Sequence, residues 1–230
     1  MLAFDPPVQP SLAIVDSSAR FPVRRIFCVG RNYAAHAREM GNDPDREPPF
    51  FFTKPGDTAV DAPCMMPYPP LTQDLNHEVE LVVAIGKAGA NIPASDVMGH
   101  IWGAAVGLDM TRRDLQDEAK KMARPWDWAK AFDHSAPIGA IKPMAHVPSL
   151  FAGRIWLSVN GALRQDGDLS ELIWSVSEHV ATLSEAVSLA PGDLVMTGTP
   201  AGVGAVVPGD VITAGVDGVG EIEVKIGPRA

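Results

Sequence analysis

NHEVELVVAIG, residues 76–86, sets two carboxylates, Glu78 and Glu80, at the start of a run that is otherwise almost wholly aliphatic. The stretch 79–85 is rich in β-branched residues and reads as a strand entering a core. Side chains two positions apart on a strand leave the same face, so two like charges converge beside apolar surface. Neighbouring carboxylates repel, and burial adds to the cost of ionising each. Something positive is required there.

Outward from this strand, short apolar runs alternate with turn-forming clusters. RRIFCVG (24–30) reads as a buried strand running into a helix over RNYAAHAREMG, capped by Asn32 and closed by Gly41. Residues 50–53 and 101–110 are two more apolar strands, whereas the Pro-rich stretch 54–75 reads as irregular. A short helix is expected near Pro93, and TRRDLQDEAKKMA (111–123) as a charged one. RIWLSVNGALRQDG (154–167) reads as a hairpin turning at Asn160-Gly161. Residues 170–189 have helical apolar spacing, with Leu172, Val176, Val180 and Leu183 close to one face. Pro-Gly-Asp at 191–193 and again at 208–210 predicts two hairpin-like turns of one sheet. Helices are few and regular βαβ alternation is absent, so the fold class is α+β with a β-dominated core.

The 230 residues, 46% of them hydrophobic, suffice for one sizeable core. Glycine and proline, 21 of each, favour turns and short strands over a helical bundle. A net charge of -9 argues against nucleic-acid backbones and anionic membranes as partners. A small anionic substrate stays compatible where positive charge is concentrated locally. Cys28 and Cys64 make neither a CxxC motif nor a disulfide framework and read as buried thiols of a reducing compartment. No apolar stretch approaches the ~20 residues of a membrane span, and the start, MLAFDPPVQPSLAIVD, has no basic leader. A cytoplasmic location is the expectation.

A third acidic residue answers the opening problem. Asp109 ends the apolar strand IWGAAVGLDM, an unfavourable place for a lone charge. Three carboxylates at strand ends suit a hard divalent cation such as Mg²⁺, which takes oxygen ligands octahedrally and keeps water in the remaining positions. Salt bridges at a strand end also account for Glu78 and Glu80 taken alone. His36 and Glu39 lie three residues apart on the helix 32–41. A carboxylate there orients an imidazole as a base for water; an exposed helical ion pair has the same spacing. Lys130 lies near Trp126, Trp128 and Phe132, where an ammonium group either stabilises an oxyanion or snorkels to solvent. Arg113 and Gln116 follow Asp109 by four and seven residues, on one helical face. TGTPAGVG (197–204) offers hydroxyls and backbone N–H groups but lacks the Gly-Lys-Ser/Thr ending of a phosphate loop. An ordinary glycine-rich turn has that composition too.

VGRNYAAHAREMG, HEVELVVAIG, GLDMTRRDLQDE, RPWDWAKAFD, VNGALRQDG and PGDLVMTGTPAGVG occur in this order, and through them residues 24–225 resemble the fumarylacetoacetate hydrolase superfamily. The chain length is similar to that of the single-domain acylpyruvate hydrolase branch. FFFTKPGD and REMGNDPDREPPF are most similar to fumarylpyruvate hydrolases of bacterial gentisate-type aromatic degradation. The resemblance implies a mixed β-sandwich roll, with residues 1–23 as an extended lead-in, 24–230 as the catalytic domain, and a homodimer. It implies Mg²⁺ or Mn²⁺ on Glu78, Glu80 and Asp109, with His36, Glu39 and Lys130 as catalytic residues. Arg113, Gln116 and Thr199 fall on substrate-binding positions for a small 2-oxo acid. Larger relatives carry a fourth acidic ligand seven residues before the histidine; Val29 stands in that place, so three protein ligands are expected.

The implied activity is hydrolysis of the C–C bond of an acylpyruvate, with fumarylpyruvate giving fumarate and pyruvate. An oxaloacetate decarboxylase or isomerase, and a non-catalytic cation-stabilised binding protein, are the alternatives. Gly30 and Gly41 flank the His36 helix and predict a lid ordered by ligand.

Overall fold

The structure, a computed structural model, describes residues 2–39 and 47–229, the side chains of 37–39 excepted. Its elements begin with β1 (Ser11–Ala13), β2 (Arg20–Pro22), β3 (Arg25–Gly30), α1 (Ala34–Glu39), β4 (Phe50–Pro55), β5 (Ala59–Asp61) and β6 (Cys64–Tyr68). The middle of the chain forms β7 (Leu75–His77), β8 (Val79–Ile85), β9 (Ile101–Leu108), β10 (Thr111–Arg112), α2 (Arg113–Lys121) and α3 (Asp127–Lys130). Next come β11 (Ala136–Ile138), β12 (Lys142–Pro143), β13 (Arg154–Val159), β14 (Ala162–Asp168) and α4 (Val176–Ala186). The last strands are β15 (Asp193–Met196), β16 (Gly204–Val206), β17 (Val211–Val216) and β18 (Gly220–Arg229).

The main sheet has eight strands in the order β4-β3-β15-β8-β9-β11-β5, with β12 beside β9. A five-stranded sheet, β14-β13-β17-β18-β6, lies over one face. Successive residues of β8 divide between two apolar clusters. Val79, Leu81, Val83 and Ile85 join Leu157, Ile212 and Val224 of the smaller sheet, whereas Val82 and Ala84 join Leu12, Phe21 and Ile26. Burial on both faces explains why this strand is continuously aliphatic rather than alternating. Parallel pairs (β15 with β3, β11 with β5, β18 with β6) mix with antiparallel ones. Curled sheets with few helices form the expected mixed sandwich roll.

Several local expectations hold and others change. Asn160 and Gly161 take positive φ and join β13 to β14 as a hairpin. Within 1–23, expected as an extended lead-in, the chain forms two short strands, and the β1–β2 hairpin lays Leu12 and Phe21 onto the second cluster. The stretch 54–75 contains strands despite its prolines. β5 ends the main sheet and β6 ends the smaller one, and edge strands tolerate a residue without an N–H. The two Pro-Gly-Asp turns serve different sheets: the first leads into β15 of the main sheet and the second into β17 of the smaller. Gly192 and Gly209 both take positive φ there, so local chemistry is the same and partner choice differs.

The helix expected over 170–189 begins at Val176, because Ser175 and Glu178 form a capping box. Leu172 falls outside it and bridges to Tyr33. Near Pro93 there is only a 3-10 turn, Val97–Gly99. Asn32 does not cap α1. Its Oδ1 accepts from Trp174 N–H, and its Nδ2 donates to the Trp174 and Thr197 carbonyls. The expected closure of the helix at Gly41, and part of the loop that follows it, lie outside the described residues. Among those residues no helix is long and apolar enough to cross a membrane.

Candidate active site

Glu78 sits where the chain leaves β7, in a three-stranded sheet with β10 and β16, and enters β8 of the main sheet. Asp109 directly follows β9, the antiparallel neighbour of β8, and its N–H donates to the Glu78 carbonyl at 2.8 Å. Adjacent strand ends therefore bring the carboxylates together. Oxygen atoms of Glu78, Glu80 and Asp109 lie within 4.8 Å of one another, and all three residues are buried.

Cations surround this group unevenly. Lys130 Nζ donates to Glu78 Oε2 at 2.7 Å and to Asp109 Oδ2 at 2.6 Å. Arg113 Nη2 pairs with Glu78 Oε1, and its Nη1 donates to Gln116 Oε1 at 2.5 Å, leaving the Gln116 NH₂ end as a donor. Lys54 is buried beneath Asp109. Its Nζ stands 2.9 Å from Asp109 Oδ1 but donates to the carbonyls of Met110 and Lys130. Asp109 Oδ1 is thus near a charge yet accepts no aligned hydrogen bond.

The charges divide accordingly. Burial opposes ionisation of Glu78, but Lys130 and Arg113 outweigh it and hold the carboxyl well below the usual range. Burial, then repulsion by Asp109 and Glu78, pushes the Glu80 carboxyl well above its ordinary value. Gly198 N–H, donating to Glu80 Oε2 at 2.7 Å, offsets only part of this. Burial also opposes the Lys130 ammonium, yet Asp109 and Glu78 together raise its pKa. A divalent cation fits this donor set: three hard oxygens, one of them an orphaned buried carboxylate atom. Oxygen ligands of Mg²⁺ at ~2.1 Å stand ~3–4 Å apart, so the 4.8 Å spread calls for only a small closure.

The carboxylates floor a cleft whose wall carries His36, Arg113, Gln116, Lys130 and Thr199. His36, on α1, is buried there and favours the ionised form of Glu78 electrostatically. Glu39 is the last residue of α1, and its side chain lies outside the described residues. Val29 lines the cleft, and among the described residues only Glu78, Glu80 and Asp109 form a metal-type cluster. The apolar wall near Lys130 differs from the expected one. Trp126 packs on Phe50 and Phe52, and Lys130 Nζ stands 5.1 Å from the Phe52 ring centre. Trp128 is 73% exposed.

Residues 25–227 match the family described as fumarylacetoacetate (FAA) hydrolase C-terminal. The chain belongs to this family. A fumarylpyruvate hydrolase from Pseudomonas aeruginosa, solved in complex with Mn²⁺ and pyruvate, is 52% identical, with a TM-score of 0.97 and 100% of both chains covered. The fumarylpyruvate hydrolase of Ralstonia sp is 44% identical over 191 residues, 82% of this chain and 99% of the relative. The mitochondrial oxaloacetate tautomerase FAHD1 of Rattus norvegicus is 43% identical over 203 residues, 88% of this chain and 91% of the relative.

Within the candidate site of this FAA hydrolase family chain, three residues carry roles that sequence reading did not assign. Lys54 is the buried counter-charge under Asp109; a lone lysine on the apolar strand FFFTKP was a signal that it needs a buried partner. Gly198, at φ +98, turns its N–H onto Glu80, and a Cβ there would stand 2.8 Å from that of Asn32. Asn32 ties this turn to the start of the α1 segment. Thr197, by contrast, spends its hydroxyl on the Leu81 carbonyl at 3.1 Å, leaving Thr199 to face the cleft.

Proposed function

We propose that this FAA hydrolase family chain is a metal-dependent hydrolase that cleaves the C–C bond of fumarylpyruvate into fumarate and pyruvate. The observation that carries the reading is the convergence of three buried carboxylates beneath a cleft whose wall holds His36. The Pseudomonas aeruginosa relative with Mn²⁺ and pyruvate supports it, since pyruvate is one product of that cleavage.

Glu78, Glu80 and Asp109 would hold Mg²⁺ or Mn²⁺, which would supply Lewis-acid chemistry to the 2-oxo acid half of the substrate. His36, with Glu39 as its acidic partner, takes a proton from the water that attacks the distal acyl carbonyl. Lys130 has a third N–H beyond the two given to Glu78 and Asp109, and it serves the oxyanion formed by that attack. The C–C bond then breaks toward the pyruvate carbon, and His36 returns the proton there. Arg113, Gln116 and Thr199 hold the 2-oxo acid end. Arg31 and Lys120 line the same cleft and serve the distal carboxylate. The three carboxylates and Lys54, Lys130 and Arg113 cancel formally. A divalent ion then leaves two positive charges, the complement of a dianionic keto acid. We assign the chain, as a cytoplasmic homodimer, to aromatic breakdown of the gentisate type.

The likeness to oxaloacetate tautomerase supports a second reading, proton transfer in the same cleft without attack by water. Steady-state assays of fumarylpyruvate and oxaloacetate, with Mn²⁺ and then with excess chelator, separate the two. The expected outcome is metal-dependent release of fumarate and pyruvate, reduced at least ~100-fold in His36→Ala. Enol–keto interconversion of oxaloacetate with no cleavage of fumarylpyruvate establishes the tautomerase.

A further inference from the structure

Gln165 on β14 is fully buried, at 0% exposure, between exposed Arg164 and Asp166. The pairing of β14 with β13 steps from Leu163 opposite Ser158 to Gln165 opposite Leu157, so Arg164 is an extra, bulged residue. Bulges re-aim neighbouring side chains. Here Gln165 reaches out of the smaller sheet to His77 and Val79, the two neighbours of Glu78.

The partners of this amide determine which end is which. Val79 N–H can only donate, and it lies 3.1 Å from Oε1. The Pro200 carbonyl can only accept, and it lies 2.9 Å from Nε2. His77 Nδ1, 3.0 Å from Oε1, is therefore the protonated ring nitrogen. Nε2 stands 2.8 Å from Thr199 Oγ1, so the amide donates and the hydroxyl accepts. Among the described residues no acceptor takes the hydroxyl proton of Thr199, and Thr199 lines the cleft.

We propose that Gln165 is a positioning residue: by donating to Thr199 Oγ1, it fixes that hydroxyl as a donor aimed at the carboxylate of a bound 2-oxo acid. This rests on the acylpyruvate reading above. Val79 directly follows Glu78, so the same amide sets the threonine relative to the carboxylate cluster.

The test is calorimetric titration of sodium pyruvate into the Mn²⁺-loaded protein, for wild type, Gln165→Met, Thr199→Val and the double variant. Melting temperatures are measured alongside, and Gln165→Glu replaces Gln165→Met if the latter fails to fold. A charge-assisted hydroxyl bond lost at either site weakens pyruvate binding about tenfold. In the Thr199→Val background the second substitution changes it less than about twofold. For fumarylpyruvate, KM rises and kcat stays within about twofold. Equal losses from Gln165→Met in both backgrounds, or no loss in either, overturn the positioning role alone. Wild-type protein that binds no pyruvate overturns the acylpyruvate reading and this inference with it.

Discussion

Two buried acidic positions of the main sheet meet opposite fates. Asp193, at the start of β15, has 0% side-chain exposure. Arg25 donates to it from Nε at 3.0 Å and from Nη2 at 2.8 Å, and Arg24 Nη1 lies 3.2 Å from both oxygens. Ala190 N–H adds a bond of 2.9 Å. Every acceptor has a donor, and the donors are set by the pairing of Arg25 with Asp193 across β3 and β15. Glu80, near the start of β8, accepts from Gly198 N–H, joins no ion pair among the described residues, and faces two like charges. The first arrangement is closed; in the second, formal charge cancels over the cluster, but the three cations pair with Glu78 and Asp109 and leave Glu80 a local imbalance. The structural carboxylate has both oxygens matched by donors, whereas the candidate site keeps one carboxylate without a cation of its own, an imbalance left for a ligand.

His179, on α4, represents a third solution. Burial holds it neutral and lowers its pKa to about 4, so it avoids charge rather than pairing it.

The largest expected effect comes from Glu80→Gln, which removes the imbalance. Mn²⁺ binding, followed by electron paramagnetic resonance of the free ion, and turnover both fall to background. Melting of the metal-free protein moves upward, because a repelled buried carboxylate is gone. A lower melting temperature with Mn²⁺ binding retained would make this cluster structural and erase the contrast with Asp193.

The pH response comes next. The unfolded chain binds a proton at His179 near the ordinary value of 6.5, and the folded chain only near about 4. Stability from this residue is therefore full above 6.5 and lost as pH falls toward 4. The loss amounts to up to roughly 3 kcal/mol. Urea unfolding at both ends of this range should show that excess loss for wild type over His179→Gln. Equal losses would mean that the folded protein tolerates the charged ring.

Asp193→Asn gives the smallest effect, about 2 kcal/mol of destabilisation. A fully enclosed pair would lose more, but Arg24 and Arg25 keep 49% and 33% side-chain exposure and their charges stay partly solvated. The urea midpoint should drop while kcat and KM stay put. A loss of turnover here would show that the two regions are coupled.

Much of the site was legible in the sequence because its signals are local. Glu78 and Glu80 share a strand face by pleat alone, and Asp109 stands out as a charge ending an apolar strand. Lys130 was recognisable as a cation among aromatics, but not as the bridge between Glu78 and Asp109. The partners of Lys54 and Gln165 were opaque in a stronger sense. Each residue owes its role to a partner more than 30 residues away: Asp109 for Lys54, Thr199 for Gln165.

By itself the sequence determined the features that steric and periodic rules set over a few residues: the aliphatic β8, the Asn160-Gly161 hairpin, and the candidate acid cluster. Tertiary structure alone decided which sheet each Pro-Gly-Asp turn serves, that the proline-rich stretch 54–75 supplies edge strands, and which buried charge is left unmatched. The physical reason is range. Backbone conformation is chosen by neighbours along the chain, whereas pairing, burial and electrostatic balance depend on groups that only folding brings together.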